Sequence, residues 1–194
     1  KTKKVFKMTA DYDHSIANWM IRKDFKSSKI NNNESIKLKY GENPNQKSKY
    51  ILNTKTNSLF KEKIQGKEIG YNNILDLDAG LNCIEEFNEP TCVIIKHNNP
   101  CGVASNKSIN ISFKNAHKGD KISAFGGIVI FNRIVNKNLA LDLYNNFFEI
   151  IAAKKFTKSA LEIFKNKSKL ILIKTKNKRI NKKDEIRRVI GGHL

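Results

Sequence analysis

The sequence predicts a layered α/β domain, and three observations carry that prediction. Short apolar runs rich in Ile and Val recur near 36–40, 49–53, 91–96, 126–131, 148–152 and 169–173. Patterns with helical spacing fall between or beside them, near 74–87, 109–118, 136–147 and 157–165. The only prolines, Pro44, Pro90 and Pro100, all sit at proposed turns. Strands that alternate with helices build a sheet covered by helices. A chain of 194 residues is long enough for one ordinary domain with a real core. No internal repeat is present.

Taken in order, residues 9–25 carry apolar positions at Tyr12, Ile16, Trp19 and Met20, with Thr9 as the expected N-cap of an amphipathic helix. Residues 26–35 are polar and read as a linker. The main domain is expected to begin near Ile36. Its most informative stretch is Cys92-Val93-Ile94-Ile95-Lys96-His97-Asn98-Asn99-Pro100-Cys101-Gly102. An apolar, β-branched run ends abruptly in a cation, an imidazole, amides, Pro and Gly. This reads as a buried strand that delivers reactive side chains to its tip. In open α/β sheets ligands sit beyond the carboxyl ends of the strands. His97 is one of four histidines and can exchange protons near neutral pH. The ammonium of Lys96 beside it disfavours a second positive charge, so a neutral, proton-accepting imidazole is expected.

The formal charge of +19 raises a nucleic-acid reading. Of 37 basic residues only five are Arg: Arg22, Arg133, Arg179, Arg187 and Arg188. Readers of bases and phosphates favour the bidentate fork of Arg, and the lysines here are scattered. A solvated surface is therefore the expectation, with a field that helps collect anionic small molecules. Cys83, Cys92 and Cys101 read as reduced thiols. No apolar run approaches the roughly 20 residues of a membrane span, and no signal-peptide pattern opens the chain. Cytoplasmic location and no membrane partner are the expectations.

Two further stretches stand beside the first. One is Leu38-Lys39-Tyr40-Gly41-Glu42-Asn43-Pro44-Asn45-Gln46; the other is Asp120-Lys121-Ile122-Ser123-Ala124-Phe125-Gly126-Gly127. In this order and spacing, the three resemble the formyltransferase domain of the bifunctional AICAR transformylase/IMP cyclohydrolase family. That family's patterns are Arg-Tyr-Gly-Glu-Asn-Pro-His-Gln, Lys-His-x-x-Pro-Cys-Gly and Ser-Ala-Phe-Gly-Gly. The resemblance extends to Thr9-Ala10-Asp11-Tyr12-Asp13, Tyr71-Asn72-Asn73-Ile74-Leu75-Asp76, Glu149-Ile150-Ile151-Ala152 and Gly191-Gly192-His193-Leu194.

The resemblance implies a cytidine-deaminase-like layered mixed sheet with flanking helices. It implies that residues 1–35 are the closing helix and linker of a cyclohydrolase domain preceding residue 1. Residues 36–194 would be the first of two deaminase-like halves, the second following Leu194. The implied reaction is formyl transfer from 10-formyltetrahydrofolate to AICAR, the aminoimidazole carboxamide ribonucleotide, in purine biosynthesis. A homodimer with sites at its interface is also implied. The amine of AICAR is a poor nucleophile that needs a base, and the departing folate nitrogen needs a proton. His97 is the expected shuttle, and Lys96 the expected stabiliser of negative charge on the formyl oxygen.

Lys39 and Tyr40 are the implied nucleotide contacts, with Lys39 where the family has Arg, so a point charge replaces a fork. Asn45 replaces the family His and removes a titratable group. Gly126 is implied to lie beside the nucleotide, and Glu149 to contact the ribose hydroxyls. Phe125, a residue type more often found in a core, and Asn99 complete the substrate candidates. Deaminases of this fold hold zinc through Pro-Cys-x-x-Cys and His-x-Glu or Cys-x-Glu. Here Cys101 has no second Cys at that spacing and His97 is followed by Asn98-Asn99, so no metal is expected. The alternative function is a non-catalytic nucleotide- or nucleic-acid-binding basic module.

Overall fold

The computed structural model describes residues 2–23, 35–51, 62–175, 188–189 and 192–193. The expected linker 26–35 therefore falls, but for Ser35, outside the described residues, as do the end of the expected strand 49–53 and both Gly191 and Leu194. The chain divides into two compact units, Lys1–Glu34 and Ser35–Leu194.

The first unit holds helix α1 (Thr2–Lys23). It begins seven residues before Thr9. Thr9 is not an N-cap: its hydroxyl donates back to the carbonyls of Val5 and Phe6, at 3.2 and 3.0 Å, in the helix interior.

The second unit is α/β with a mixed sheet flanked by helices. A small hairpin pairs β1 (Ser35–Lys37) with β2 (Lys49–Ile51). Then come β3 (Lys63–Gln65), α2 (Tyr71–Ile84), β4 (Thr91–Lys96), β5 (Asn99–Ser105), α3 (Ile109–Gly119), α4 (Lys121–Ala124) and β6 (Ile128–Val135). After these come α5 (Lys137–Tyr144), β7 (Ile150–Phe156), α6 (Lys158–Phe164) and β8 (Ile171–Lys174). Two short strands, β9 (Arg188–Val189) and β10 (Gly192–His193), pair with each other. The main sheet has six strands in the order β3-β8-β7-β6-β4-β5. Strands β6, β7 and β8 are mutually parallel, joined by crossover helices α5 and α6. The strands β4, β5 and β3 are each antiparallel to a neighbour.

Side chains alternate across the central strands, and both faces are covered. Val93, Ile95, Ile128, Ile130 and Ile150 face α2. Cys92, Ile94, Val129, Phe131 and Ile151 face the other way, into a core with Phe113 of α3, Leu139 of α5 and Phe164 of α6. Each such fully buried Ile or Phe stabilises by about 1.5–3 kcal/mol relative to exposure. Gly80 lets α2 lie directly on the sheet; a Cβ there would stand 2.1 Å from Ile130 Cδ1. The buried Asn132 pins the entry to β4. Its Oδ1 accepts from the Thr91 N–H at 2.8 Å, and its Nδ2 donates to the carbonyls of Phe87 and Glu89.

Further expectations change in this unit. The stretch after His97, where Pro100 is expected at a turn, is strand β5. The strands expected at 126–131 and 148–152 start two residues later and run on to Val135 and Phe156. A further change concerns direction. Lys96 does end its own strand, but β4 runs against β6. Its carboxyl end therefore lies at the rim where β6, β7 and β8 begin, opposite to their carboxyl ends.

Candidate functional site

The tip of the β4–β5 hairpin is a two-residue turn. Lys96 pairs with Asn99, leaving His97 and Asn98 between them. Both have left-handed backbone, with φ of 53° and 62°. Positive φ at both central residues is the type I′ pattern, which matches the twist of a hairpin but strains any residue other than glycine. Asn and His tolerate that region better than most side chains. The turn is held from both sides. Asp76 Oδ1 accepts from the Asn98 N–H at 2.7 Å, and Asn99 Nδ2 donates to the His97 carbonyl at 2.9 Å. The side chain of Asn99 is thus already engaged with the turn itself, and His97 is exposed at its apex. A slip in pairing between Ile94 and Ile95 leaves Cys101 as a bulge and fits Pro100 into the edge strand.

Helix α2 gathers this turn and the first motif. Asn72 Nδ2 donates to the Glu42 carbonyl at 3.3 Å, while Asp76, four residues on, holds Asn98. Residues four apart share a helix face and are separated by about 6 Å along the axis. The loop between β1 and β2 is therefore placed beside the Lys96-His97 tip. That loop is closed internally: Gly41 N–H donates to the Gln46 carbonyl at 2.8 Å, Asn43 N–H to Gln46 Oε1 at 2.9 Å, and Ser48 Oγ to the Tyr40 carbonyl at 2.8 Å. Lys39 is exposed, with its ammonium 5.6 Å from the centre of the Tyr40 ring.

The third motif joins through Lys96, whose Nζ donates to the Phe125 carbonyl at 2.7 Å. An ammonium has three N–H donors, so this bond engages one of them. The carboxylate of Asp120 caps α4, accepting from the Ser123 N–H at 2.9 Å and the Ser123 hydroxyl at 2.6 Å. Those bonds hold it below its ordinary pKa, with Lys96 adding a smaller pull. Burial pushes the Cys101 thiol up. Gly126 has φ of 72°, and its N–H donates to the Phe147 carbonyl at 2.8 Å. Gly127 is required by space: a Cβ would stand 2.9 Å from the Ile95 carbonyl oxygen. Phe125 is not a core residue. It is 64% exposed, and its ring lies 5.0 Å from that of Phe147.

Glu149 stands at the start of β7 on the same rim. Its backbone N–H donates to the Gly127 carbonyl at 3.0 Å, and its carboxylate pairs with Lys67 Nζ at 2.6 Å. Beside it opens a cavity of about 370 Å³, lined by Lys67, Phe147, Glu149, Lys167 and Lys169 among others. Lys167 donates to the carbonyls of Tyr144 and Asn146 at the end of α5, and burial lowers its pKa.

Lys96, His97, Asn99, Phe125, Gly126 and Glu149 thus fall on one rim of the sheet, and the loop that carries Lys39 and Tyr40 is tied beside it through Glu42 and Asn72. Asn72, Asp76, Asp120 and Lys67, which sequence reasoning gave no role, hold them there. The signal in the sequence was the pair Asn72 and Asp76, two polar residues at helical spacing. Among the described residues, no group of three or more His, Cys, Asp or Glu could hold a metal ion. Among them, too, no helix is long and apolar enough to cross a membrane.

The family model described as AICARFT/IMPCHase bienzyme matches residues 1–194. The bifunctional purine biosynthesis protein PurH of Fusobacterium nucleatum is 40% identical over 194 residues, covering 98% of this chain and 38% of its own length. PurH of Prochlorococcus marinus is 44% identical over 206 residues, covering 97% and 40%. PurH of Caldicellulosiruptor bescii is 42% identical over 205 residues, covering 98% and 39%. The chain thus spans about two fifths of the length of these curated relatives.

Proposed function

The chain belongs to the AICARFT/IMPCHase bienzyme family, and on that premise we propose that it contributes an AICAR formyltransferase site. The transfer forms a bond from the AICAR amine nitrogen to the formyl carbon and breaks the bond from that carbon to N10 of tetrahydrofolate. His97 takes the amine proton and returns one to N10 as it leaves. Lys96, with N–H donors beyond the one on Phe125, stabilises the developing negative charge on the formyl oxygen. Lys39 and Tyr40 take the phosphate end of AICAR, Glu149 its ribose hydroxyls, and Gly126 lets the nucleotide approach the backbone. The exposed Phe125 ring offers a flat apolar face, and Asn99, whose Nδ2 is held by the turn, has its carboxamide oxygen left to accept from substrate. The cosubstrate is 10-formyltetrahydrofolate, with no metal required.

The observation that carries this reading is the convergence of three separated motifs at one rim, tied by Asn72, Asp76 and Lys96. In the same proposal, the fold is cytidine-deaminase-like. Residues 1–35 close a cyclohydrolase domain and 36–194 form the first half of the transformylase domain. The working protein is a cytoplasmic homodimer with its site at the interface. Family membership favours this reading over a basic nucleic-acid-binding module.

The test uses the chain extended to the length of its relatives. His97→Ala is expected to lower formyl-transfer turnover at least about 100-fold while AICAR affinity stays within a few-fold, because a proton shuttle acts in the transition state. Near-parental turnover in this variant would remove His97 from the reaction.

A further inference from the structure

We propose that Asp76 and Asn99 are positioning residues that clamp the central peptide of the His97-Asn98 turn and so set the direction of the His97 side chain; this rests on the catalytic reading of His97. The peptide that joins His97 to Asn98 carries one C=O and one N–H, and each is taken by a different side chain. The N–H donates to Asp76 Oδ1 at 2.7 Å, and the C=O accepts from Asn99 Nδ2 at 2.9 Å. A peptide fixed at both poles cannot rotate. A full flip to type II′ is already disfavoured, because that geometry requires glycine at the first central position; what the two bonds restrain is the smaller tilt that type I′ still allows. His97 holds that first position at φ 53°. The strain of two left-handed non-glycine residues persists because the surroundings over-determine it.

The two clamps come from different places. Asn99 is the first residue of β5 and acts locally. Asp76 is on α2, which is packed on the sheet through Gly80, and on the same helical face as Asn72, the anchor of the nucleotide loop. Asp76 thus references the proton-transfer residue to the element that also positions the substrate loop. The acceptor is a carboxylate, and a charged acceptor makes a shorter and stronger bond than a neutral one. The carboxamide of Asn in its place still presents an oxygen to the same N–H.

The test again uses the chain extended to the length of its relatives. Asp76→Ala is expected to lower kcat for formyl transfer by about 10- to 100-fold, with KM for AICAR within about three-fold, since small misplacement of a reacting group is costly. Asp76→Asn is expected to keep kcat within about five-fold. Adding Asn98→Gly to Asp76→Ala relieves the left-handed strain and is expected to recover most of the lost rate. Amide hydrogen exchange supplies a readout apart from turnover: exchange at Asn98 should quicken at least about ten-fold in Asp76→Ala, while core amides of β4 stay protected. Unchanged exchange at Asn98, or parental kcat in Asp76→Ala, overturns the clamp. An active His97→Ala protein would end the catalytic reading of His97, and the exchange result would still decide whether Asp76 holds the turn.

Discussion

The hairpin tip at His97-Asn98 and the loop between β1 and β2 both present candidate site residues, yet they are built in opposite ways. The tip is two residues long, strained, and held by a carboxylate from another element, 22 positions away. The loop is longer and largely holds itself, with Gln46 and Ser48 closing it onto Gly41, Asn43 and Tyr40. The bond that ties it to Asn72 of α2 comes from a neutral amide, at 3.3 Å. A group that moves protons must sit within a fraction of an ångström of its target. A group that attracts a phosphate as a point charge tolerates more freedom. The difference predicts that changes around the tip act on turnover and changes around the loop act on affinity.

The largest expected effect comes from breaking the base on which the tip stands. Gly102, on β5, lies against α3, and a Cβ there would stand 2.2 Å from the Ala116 carbonyl oxygen and 2.9 Å from its carbon. Backbone cannot step aside as a side-chain end can, so strand and helix must separate. Gly102→Ala is expected to cost about 3 kcal/mol of unfolding free energy, the upper part of the usual range for overpacking. Urea unfolding of the purified chain checks this. An unchanged midpoint would mean that α3 is free to move away from β5, and that the hairpin is less rigidly founded than the comparison assumes.

How much of this was legible in the sequence varies by element for physical reasons. Strand β4 was read at its true limits, because five buried residues in a row leave one interpretation. Strand β5 was missed because Asn99, Pro100 and Gly102 are breaker residues, and an edge strand with a bulge accepts them where a central strand does not. The far end of β6 was missed because Asn132 looks like a stop signal, and only its three hydrogen bonds make it a buried strand residue. Strand direction is not written in any local pattern, so the rim on which Lys96 emerges was misjudged. The three site motifs were legible as residues. The carboxylate that holds the tip was legible as a polar residue one helical turn after Asn72, but its role was not, because its partner is a backbone N–H, which leaves no mark in a sequence.

A smaller effect is expected on the substrate side. If Lys39 meets the phosphate, Lys39→Ala should weaken AICAR binding by about 1–3 kcal/mol, the usual cost of a lost charge-assisted contact, and leave kcat nearly unchanged. Lys39→Arg should bind as well as the parent or better, because the planar fork matches phosphate geometry. Titration calorimetry with AICAR separates these outcomes. Parental affinity in both variants would make Lys39 an ordinary surface lysine and leave the loop's role to Tyr40.

A weaker effect still, at Gln46, separates the two regions most directly. Gln46 has no part in the proposed substrate contacts; it closes the loop through its side-chain oxygen on Asn43 and its backbone on Gly41. A Cβ on Gly41 would stand 2.9 Å from Gln46 Cβ, so the two residues are closely fitted. Gln46→Ala removes the Asn43 bond and leaves the backbone bonds in place. The expected cost is about 0.5–1.5 kcal/mol, the net worth of one ordinary hydrogen bond, seen as a modest rise in KM for AICAR at parental kcat. That pattern would be the mirror image of Asp76→Ala, where kcat falls and KM holds. If Gln46→Ala lowers kcat instead, the loop is coupled to the tip through Asn72 and Asp76 on α2. The two regions would then work as one unit, not as separate binding and chemical parts.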